Sequence, residues 1–369
     1  MKKVCIINAN IYCLFEPKSK APMGGAELDM YMLANGIGKN FQVSVITGDW
    51  GQNDQLKNDR VVIYKSFQLN GGVLNIFKSA FILFRSLMKV NADIYISSGA
   101  GPEVGIIAIF CKLFGRRCIY RTASEIDCNK QYIRSQKLNG VLYKFGFENS
   151  NCIVTSVKEH KNIIVKNHPN LINRIVNISL GIDIDKYIDI DKPKKTSILW
   201  VGRCNHNKNP EAFLDIARKN QNYEFVMICP KVKNDEIFYA LIKKEALQIK
   251  NLKFIKFVEF RKIQKYFENA LLFVNTSYYE GFTYTLIQSG KAKTPVVYLN
   301  VNPDGVINKY NLGYFSNGSI KNLNNNIRRL IENHKLWNEK SNSIYDYIEA
   351  NHDMNKLSTK WISLIESLV

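Results

Sequence analysis

Two short stretches place chemically capable residues where a buried strand is predicted to give way to a helix. In "WVGRCNHNKNP", Arg203 and Lys208 follow an apolar run that ends at Val201, and Asn209-Pro210 is typical of a helix start. Arginine offers a planar fork of donors and lysine a mobile point charge, so two cations at such a junction suit a diphosphate group. Because the whole chain is basic, the same pair equally fits a solvated surface.

The stretch "SYYEGFTYTLIQSGKAKTPVV" carries a carboxylate at a second junction of this kind. Glu280 follows the apolar run "LLFVNTS", Gly281 lets the backbone approach a ligand closely, and a helical pattern runs from Tyr284 to Ala292. Free N–H groups at a helix start attract anions, whereas a carboxylate is better suited to accept hydrogen bonds from sugar hydroxyls. The alternative is that Glu280 merely complements the helix dipole.

Two loops in the first half offer further candidates. In "APMGGAELDM", Gly24 and Gly25 precede an amphipathic helix and could face a phosphate or a sugar, with a plain turn as the alternative. The G-x-G-x-x-G pattern is absent there, which disfavours a redox dinucleotide. In "YRTASEIDCNK", Ser124, Glu125 and Asp127 follow a predicted strand, and Ser124 is better explained as a helix N-cap.

These loops must be positioned by alternating strands and helices. The predicted strands of the first half are "KVCIINA", "QVSVITG", "RVVIYKS", "ADIYISSG", "RRCIYRT" and "NCIVTSV". The predicted helices between them are 26–38, 74–90, 104–114 and 141–149. Residues 180–197 form a polar predicted linker, after which the alternation restarts with "SILWVGR", "EFVMICP", "LKFIKFV", "LLFVNTS" and "TPVVYLN". The pattern predicts two Rossmann-like α/β domains whose ligand lies beyond the carboxyl ends of the strands, in a cleft between the domains.

Length and composition support this division and restrict the partners. A chain of 369 residues exceeds what one hydrophobic core usually organises, and 51 Lys+Arg against 32 Asp+Glu favours anionic partners. No RNP, zinc-finger or helix-turn-helix pattern occurs, so no nucleic-acid partner is predicted. The eight cysteines form no C-x-x-C pair and indicate core thiols in a reducing compartment. No run of about 20 apolar residues occurs, so a cytoplasmic protein is expected.

Taken in order, "MGGAE", "SLGIDIDKY", "VGRCNHNKN", "FVNTSYYEGF" and "TPVV" resemble the retaining, GT-B-fold glycosyltransferases of glycosyltransferase family 4. The resemblance covers almost the whole chain. It implies an α/β GT-B fold, with two Rossmann-like domains facing each other across a cleft. Residues 1–185 would be the acceptor-binding domain, residues 186–345 the nucleotide-sugar donor-binding domain, and residues 346–369 a helix that packs back on the N-terminal domain.

The resemblance also implies roles at matching positions. Arg203 and Lys208 would bind the donor diphosphate, and Glu280 would hold hydroxyls of the transferred sugar. The remaining donor-side positions are Gly24, Gly25, Gly202, Phe257, Val258, Gly281, Phe282, Thr283, Tyr284 and Gln288. Gln288 stands where the family has a second glutamate for the ribose hydroxyls, so donor binding is expected to be weakened rather than lost. Ser124, Glu125 and Asp127 are the acceptor-side candidates, near the place of a family histidine that is absent here.

The activity implied is a metal-independent, retaining transfer of a hexose from a nucleotide-diphosphate sugar. The acceptor would be a saccharide or a polyprenyl-diphosphate-linked saccharide of bacterial surface polysaccharide assembly, with no cofactor beyond the co-substrate. Six basic residues are candidates for drawing the N-terminal domain to the anionic inner face of the plasma membrane, a solvated surface being the alternative: Lys65, Lys78, Arg85, Lys89, Arg116 and Arg117. Two other functions stay open, a GT-B nucleotide-sugar epimerase using Glu125 and Asp127, and a non-catalytic sugar-nucleotide binder.

Overall fold

The computed structural model describes residues 1–16, 18–19, 21–66, 73–184, 196–232 and 235–369, with the backbone alone for 73–77. Residues 185–195 of the predicted linker lie outside the described residues. The chain divides into two compact units. The first comprises Met1–Asp183 and Asp353–Val369, and the second comprises Ile184–His352.

The first unit is built on a mostly parallel sheet. Its strands in the described residues are β1 (Lys3–Ile7), β2 (Gln42–Thr47), β3 (Gln55–Asn58), β4 (Val61–Lys65), β5 (Ile94–Ser98), β6 (Arg117–Arg121), β7 (Cys152–Thr155) and β8 (Ile175–Asn177). Its helices up to residue 183 are α1 (Tyr12–Phe15), α2 (Gly25–Ile37), α3 (Val73–Val90), α4 (Pro102–Leu113), α5 (Gln131–Ser135), α6 (Lys137–Asn149) and α7 (Lys158–Asn167). The strand order is β3-β4-β2-β1-β5-β6-β7-β8, and β3 alone among them runs antiparallel to its neighbour.

All six strands predicted for the first half are confirmed, because each contains an apolar run that the sheet buries fully or in part. Two strands were missed. The edge strand β3 has the polar sequence QLKN and is mostly exposed, and β8 has only three residues. Neither leaves the apolar signature on which the prediction depends.

The second unit has the strand order of a Rossmann fold. Its strands are β9 (Ser197–Val201), β10 (Glu224–Ile228), β11 (Leu252–Ile255), β12 (Ala270–Asn275), β13 (Val296–Tyr298) and β14 (Gly313–Phe315). Its helices in the described residues are α8 (Pro210–Lys219), α9 (Glu236–Leu247), α10 (Phe260–Glu268), α11 (Tyr284–Lys291), α12 (Val306–Lys309), α13 (Ile320–Glu332) and α14 (His334–His352). The strands are parallel in the order β11-β10-β9-β12-β13-β14. The order reverses between β9 and β12, and ligands of such sheets bind beyond the carboxyl ends of the strands at that point.

The final helix, α15 (Met354–Leu368), belongs to the first unit. Residues 346–352 continue α14 in the second unit, where Ile348 is fully buried. The chain rejoins the first unit through a parallel bridge between Ile182 and Asp353. Trp361 of α15 is buried and lies under the guanidinium group of Arg121, 5.8 Å from its ring centroid.

The cysteines lie where the sequence predicted them. All eight cysteines are free thiols, and seven of them are buried, as expected for core residues. No helix within the described ranges is both long and apolar enough to cross a bilayer.

Candidate functional site

The loop after β9 carries the first predicted cations. Glycine is favoured at position 202, because a Cβ atom there would lie 2.9 Å from the ring of Trp200, which is itself buried. A single 3-10 turn, His206–Lys208, follows, and the Asn205 side chain caps it by accepting from the Lys208 N–H at 3.0 Å. The turn directs the Lys208 side chain back toward the edge of the sheet.

The loop after β12 brings the predicted carboxylate to the same place. Lys208 Nζ lies 2.7 Å from Glu280 Oε2, with the two side chains 21% and 11% exposed. The other oxygen of Glu280 accepts a hydrogen bond from Asn275 Nδ2 at 3.1 Å, and Asn275 is the last residue of β12. The ammonium group retains donor capacity beyond its bond to Glu280, since it has three N–H donors. Lys208, Glu280 and Asn275 thus form one hydrogen-bonded cluster at the point where the strand order reverses.

Further hydrogen bonds hold these two loops together. The indole of Trp200 donates to Thr276 Oγ1 at 2.9 Å, and the Thr276 hydroxyl donates to the Lys208 carbonyl at 2.8 Å. Asn207 makes three bonds to the tyrosine pair: its carbonyl accepts from Tyr278 N at 2.8 Å, its Oδ1 accepts from Tyr279 N at 3.1 Å, and its Nδ2 donates to Tyr279 O at 2.9 Å. These hydrogen bonds fix the two loops relative to each other. We call the residues that make them the frame of the site.

The helix that follows Glu280 begins as predicted, and its first residues are held by side-chain contacts. Thr283 is the N-cap of α11, and its hydroxyl accepts from the Leu286 N–H at 3.3 Å. The Phe282 ring stacks on His352 with centroids 4.4 Å apart, and Tyr284 is buried. Gln288 is buried on the same helix, 4% exposed. The side chains of Phe282 and Tyr284 thus shape this loop from within the unit, leaving backbone groups for a ligand.

The other predicted donor-side residues of the second unit lie at the surface. The Arg203 side chain is exposed and makes no hydrogen bond or ion pair with the described part of the chain. Phe257 follows β11 and is 64% exposed, and Val258 beside it is half-buried. Gly281 is half-buried next to Glu280. These positions are open to a ligand, and the structure does not join them to the Lys208–Glu280 cluster by any hydrogen bond it describes.

The candidates of the first unit divide into accessible and structural groups. Gly24 is the N-cap of α2 and Gly25 is its first residue. Asp127 accepts hydrogen bonds from the N–H groups of Ala123 at 2.6 Å and Ser124 at 3.1 Å, and from the Ser124 hydroxyl at 3.1 Å. Ser124 is thus an N-cap, as its alternative interpretation predicted. Burial raises the pKa of Asp127, while these hydrogen bonds act in the opposite direction. Its carboxylate is committed to shaping the loop, whereas Glu125 is exposed.

Sequence reasoning missed three residues of the second-unit frame, namely Asn207, Asn275 and Thr276. Asn275 and Thr276 stand at the carboxyl end of a buried strand, and that position was a usable signal. No sequence signal pointed to Asn207, because its hydrogen bonds join loops that are distant in the sequence. Within the described residues, no three His, Cys, Asp or Glu side chains converge as metal ligands would.

Comparison with known families identifies the second unit. Residues 184–349 match the family described as glycosyl transferases group 1. The second unit is a group 1 glycosyltransferase domain. The matched segment contains the whole Lys208–Glu280 cluster and the Rossmann-ordered sheet beneath it.

A curated relative of this glycosyltransferase comes from Campylobacter jejuni subsp. jejuni serotype O:2. The two are 29% identical over 276 residues, which cover 72% of this chain and 73% of the relative. The relative is named GalNAc-alpha-(1->4)-GalNAc-alpha-(1->3)-diNAcBac-PP-undecaprenol alpha-1,4-N-acetyl-D-galactosaminyltransferase.

Solved structures show that this glycosyltransferase has the GT-B fold. Sucrose-phosphate synthase from Thermosynechococcus elongatus is 12% identical and aligns with a TM-score of 0.78, over 100% of this chain and 99% of that chain. Anabaena Alr3699/HepE in complex with UDP and glucose is 12% identical and aligns with a TM-score of 0.76, over 100% of both chains. The predicted fold class is confirmed.

Proposed function

We propose that this glycosyltransferase moves a hexose from a nucleotide-diphosphate sugar to a saccharide acceptor with retention of configuration and without a metal ion. The donor would be held by the second unit and the acceptor by the first. A lipid-linked saccharide of bacterial surface polysaccharide assembly is the proposed acceptor, because the Campylobacter relative is named for an undecaprenol-diphosphate-linked substrate.

The observation that carries this proposal is the Lys208–Glu280 contact of 2.7 Å at the switch point of the second sheet. Lys208 would neutralise the diphosphate that leaves, together with the exposed Arg203 and the backbone N–H groups at the start of α11. Glu280, already oriented by Asn275, would accept hydrogen bonds from the hydroxyls of the transferred sugar. Cationic side chains can stabilise the leaving diphosphate in the way a metal ion would, and metal independence is proposed on this basis.

The remaining contacts with the donor are proposed from where the residues lie along the chain. Gly202 and Gly281 would let the backbone approach the diphosphate, and Phe257 with Val258 would face the base. Gln288 would contact the ribose, where its amide oxygen can still accept one hydroxyl. The other proposed donor-side positions are Gly24, Gly25, Phe282, Thr283 and Tyr284.

The donor proposal is tested by thermal shift and by transfer. Wild-type protein should melt at a higher temperature with at least one of UDP, GDP and ADP, since a ligand of the native state stabilises it. Lys208→Ala and Arg203→Ala should each lower turnover of the matching nucleotide sugar on the order of a hundredfold, as lost oxyanion donors do. Lys219→Ala, an exposed lysine of the same unit, is the matched control and should be unaffected. Near-normal turnover by either site variant would refute the assigned role.

A membrane surface is proposed as a further partner, and it is supported by the face of α3 and α4. This α3–α4 face exposes Phe81, Met88, Leu113 and Phe114 beside Arg85, whose guanidinium group lies 5.9 Å from the Phe81 ring centroid. Lys78 and Lys89 are also exposed on α3. Of the other predicted cations, Lys65 pairs with Asp54 at 3.0 Å and Arg116 with Asp93 at 3.3 Å, and Arg117 bonds the Leu368 carbonyl. Mixed apolar and basic exposure suits the interface of an anionic bilayer.

Sedimentation with liposomes tests the membrane proposal. Binding is expected to vesicles that contain anionic lipid, to weaken with salt, and to fall in the Phe81→Ser/Leu113→Ser variant. Equal binding to neutral vesicles would contradict the electrostatic part, and equal binding by the variant would contradict the apolar part.

The epimerase alternative loses support from the first unit. It would need acid and base groups at the reacting carbon, and Glu125 and Asp127 were the candidates. Asp127 is occupied by the loop it caps. A non-catalytic sugar-nucleotide binder is distinguished by the same experiments, since it would give the thermal shift with no transfer.

A further inference from the structure

The first unit contains a polar cavity at the switch point of its sheet. The strand order reverses between β1 and β5, and the loops after these two strands enclose a cavity of about 110 Å³. It is lined by Ile7, Asn8, Ala9, Asn10, Glu27, Ser98 and Glu103, and we call it the Glu103 cavity. Since a water occupies about 30 Å³, the space accommodates about three waters, or the hydroxyl-bearing edge of a sugar ring. The sheet topology therefore puts a polar recess where α/β proteins bind ligands.

The asparagine side chains of this cavity make hydrogen bonds within its lining. Asn8 Nδ2 donates to Ser98 Oγ at 3.4 Å, and the Asn8 carbonyl oxygen Oδ1 accepts from the Asn10 N–H at 3.0 Å. Asn10 Nδ2 donates to Glu27 Oε1 at 3.4 Å. The carboxylate oxygens of Glu27 and Glu103 also line the space, and ionised carboxylates only accept hydrogen bonds. A ligand that brings hydrogen-bond donors complements these two groups.

One of these acceptors has no partner. Glu103 Oε2 is completely buried and has no hydrogen-bond partner in the described part of the chain. Glu103 is the second residue of α4, and its carboxyl group folds back over Gly101, where a Cβ atom would collide with it. Leaving a buried polar atom unpaired costs free energy, so such an atom in a cavity indicates a missing ligand.

The charge and the burial of the lining residues favour a neutral ligand that carries a hydroxyl group. Two carboxylates would repel a nucleoside diphosphate, which excludes the donor phosphates. No third carboxylate, His or Cys among the described residues completes a metal site here. Burial raises the pKa of Glu103 to about 7, so the carboxyl group is half protonated near neutral pH, a condition that a fixed cation beside it would prevent. A sugar hydroxyl can donate to the ionised form.

We propose that the Glu103 cavity binds a hydroxyl group of the saccharide acceptor, with Glu103 and Glu27 as its hydrogen-bond acceptors. This rests on the proposed function, because it assigns the acceptor of that reaction to a defined recess of the first unit. Glu103 is then a residue that determines which acceptor is used. It replaces the cap residue Asp127 as the leading acceptor-side carboxylate.

Binding of saccharide probes tests the assignment without requiring turnover. The full chain is titrated calorimetrically with the 4-nitrophenyl α-glycosides of glucose, galactose, N-acetylglucosamine and N-acetylgalactosamine. At least one should bind the wild type, and Glu103→Gln should bind it about tenfold more weakly, as expected for a lost bond to a charged group. Glu366→Gln, an exposed carboxylate of the same unit, should bind like the wild type. No binding of any probe by the wild type, or equal binding by Glu103→Gln, would overturn the proposal.

The pH dependence of this binding separates a direct contact from a structural effect. The titratable groups facing Glu103 are Glu27 on α2 and Tyr132 on α5, and burial raises the pKa of Tyr132 to about 12, so that phenol stays neutral. Affinity of the wild type should rise as the pH increases through about 7, because the ionised carboxylate is the stronger acceptor, and Glu103→Gln should show no such rise. A rise retained in Glu103→Gln would contradict the assignment.

Nucleotide binding supplies the control that separates the two proposals. The thermal shift with nucleoside diphosphates should be the same for the wild type and Glu103→Gln. If the wild type shows no nucleotide shift, the proposed function fails by itself. If that shift is present while the saccharide probes ignore Glu103, only the present inference fails.

Discussion

At the scale of single residues, the functional groups lie where strands end. Lys208 and Glu280 come from the connections after β9 and β12, and Glu103 comes from the first turn of α4, the helix that follows β5. The second-unit pair is mutually satisfied, at 2.7 Å, whereas Glu103 Oε2 has no partner among the described residues. Burying the Lys208–Glu280 pair without a ligand costs little free energy, because each group has a partner. A buried carboxyl group without a partner retains its proton instead.

Glu103 should make stability depend on pH. Its pKa is raised from 4.5 to about 7 by burial, so the folded state binds more protons than the unfolded state between these values. The free energy of unfolding should therefore fall as the pH rises from about 4.5 to about 8, by about 3 kcal/mol at about 1.4 kcal/mol per pH unit. Urea unfolding of the wild type and Glu103→Gln across this range measures the difference. Parallel curves for the two proteins would show that Glu103 titrates normally.

At the scale of elements, the site is a junction of two loops rather than a single motif. The loop after β9 and the loop after β12 are joined through Asn207 and Thr276. The loop after β9 has a single 3-10 turn as its regular structure, so these cross-bonds help to determine where Lys208 meets Glu280. Stability of the frame and binding of the donor should therefore change together.

Asn207→Ala tests that coupling. Loss of its two side-chain bonds to Tyr279 should lower the free energy of unfolding by about 1–2 kcal/mol and also reduce the nucleotide-induced thermal shift. Asn251→Ala is the matched control, since Asn251 Nδ2 donates to the carbonyls of Ala217, Asn220 and Tyr223 elsewhere in the same unit. The control should lose comparable stability and keep its nucleotide shift. If both variants keep the shift, the frame does not position the donor site.

At the scale of the whole molecule, the chain builds two Rossmann-like units and returns to the first with its last helix. A buried ion pair marks the place of return. Arg121 Nε lies 2.7 Å from Asp29 Oδ2, its Nη1 donates to the Ile178 carbonyl at 2.6 Å, and its guanidinium group lies over Trp361 of α15. Four separate segments of the first unit thus meet at one charge, whose side chain is 1% exposed.

Asp29→Asn should destabilise the first unit by about 3 kcal/mol, because it leaves the Arg121 charge buried without its counter-charge. Asp93→Asn breaks an ion pair with Arg116 in the same unit whose side chains are 37% and 31% exposed, and should cost less than about 1 kcal/mol. Thermal unfolding of both variants gives the comparison. Similar small losses in the two would mean that the buried pair is not what secures α15.

The sequence predicted the architecture well and the site partially. Strands such as β9 and β12 and the helix α11 were predicted because their apolar periodicity is local. The strands β8 and β14 were missed, since their sequences IVN and GYF do not lie in a longer apolar run, whereas the equally short β13 lies in the run PVVYL. Arg203, Lys208 and Glu280 were predicted as a set from their positions and from family resemblance, but their mutual contacts were not.

The amino-acid sequence alone determined most of the succession of strands and helices, the basic charge, and the resemblance to glycosyltransferases. Only the tertiary structure decided that Lys208 meets Glu280 and Asn275, that Asp127 is a cap, and that Glu103 faces a cavity with an unpaired oxygen. The reason is that local periodicity encodes each element, whereas the neighbours of a strand end depend on sheet order. That order is set by packing of the whole unit, which joins residues far apart along the chain.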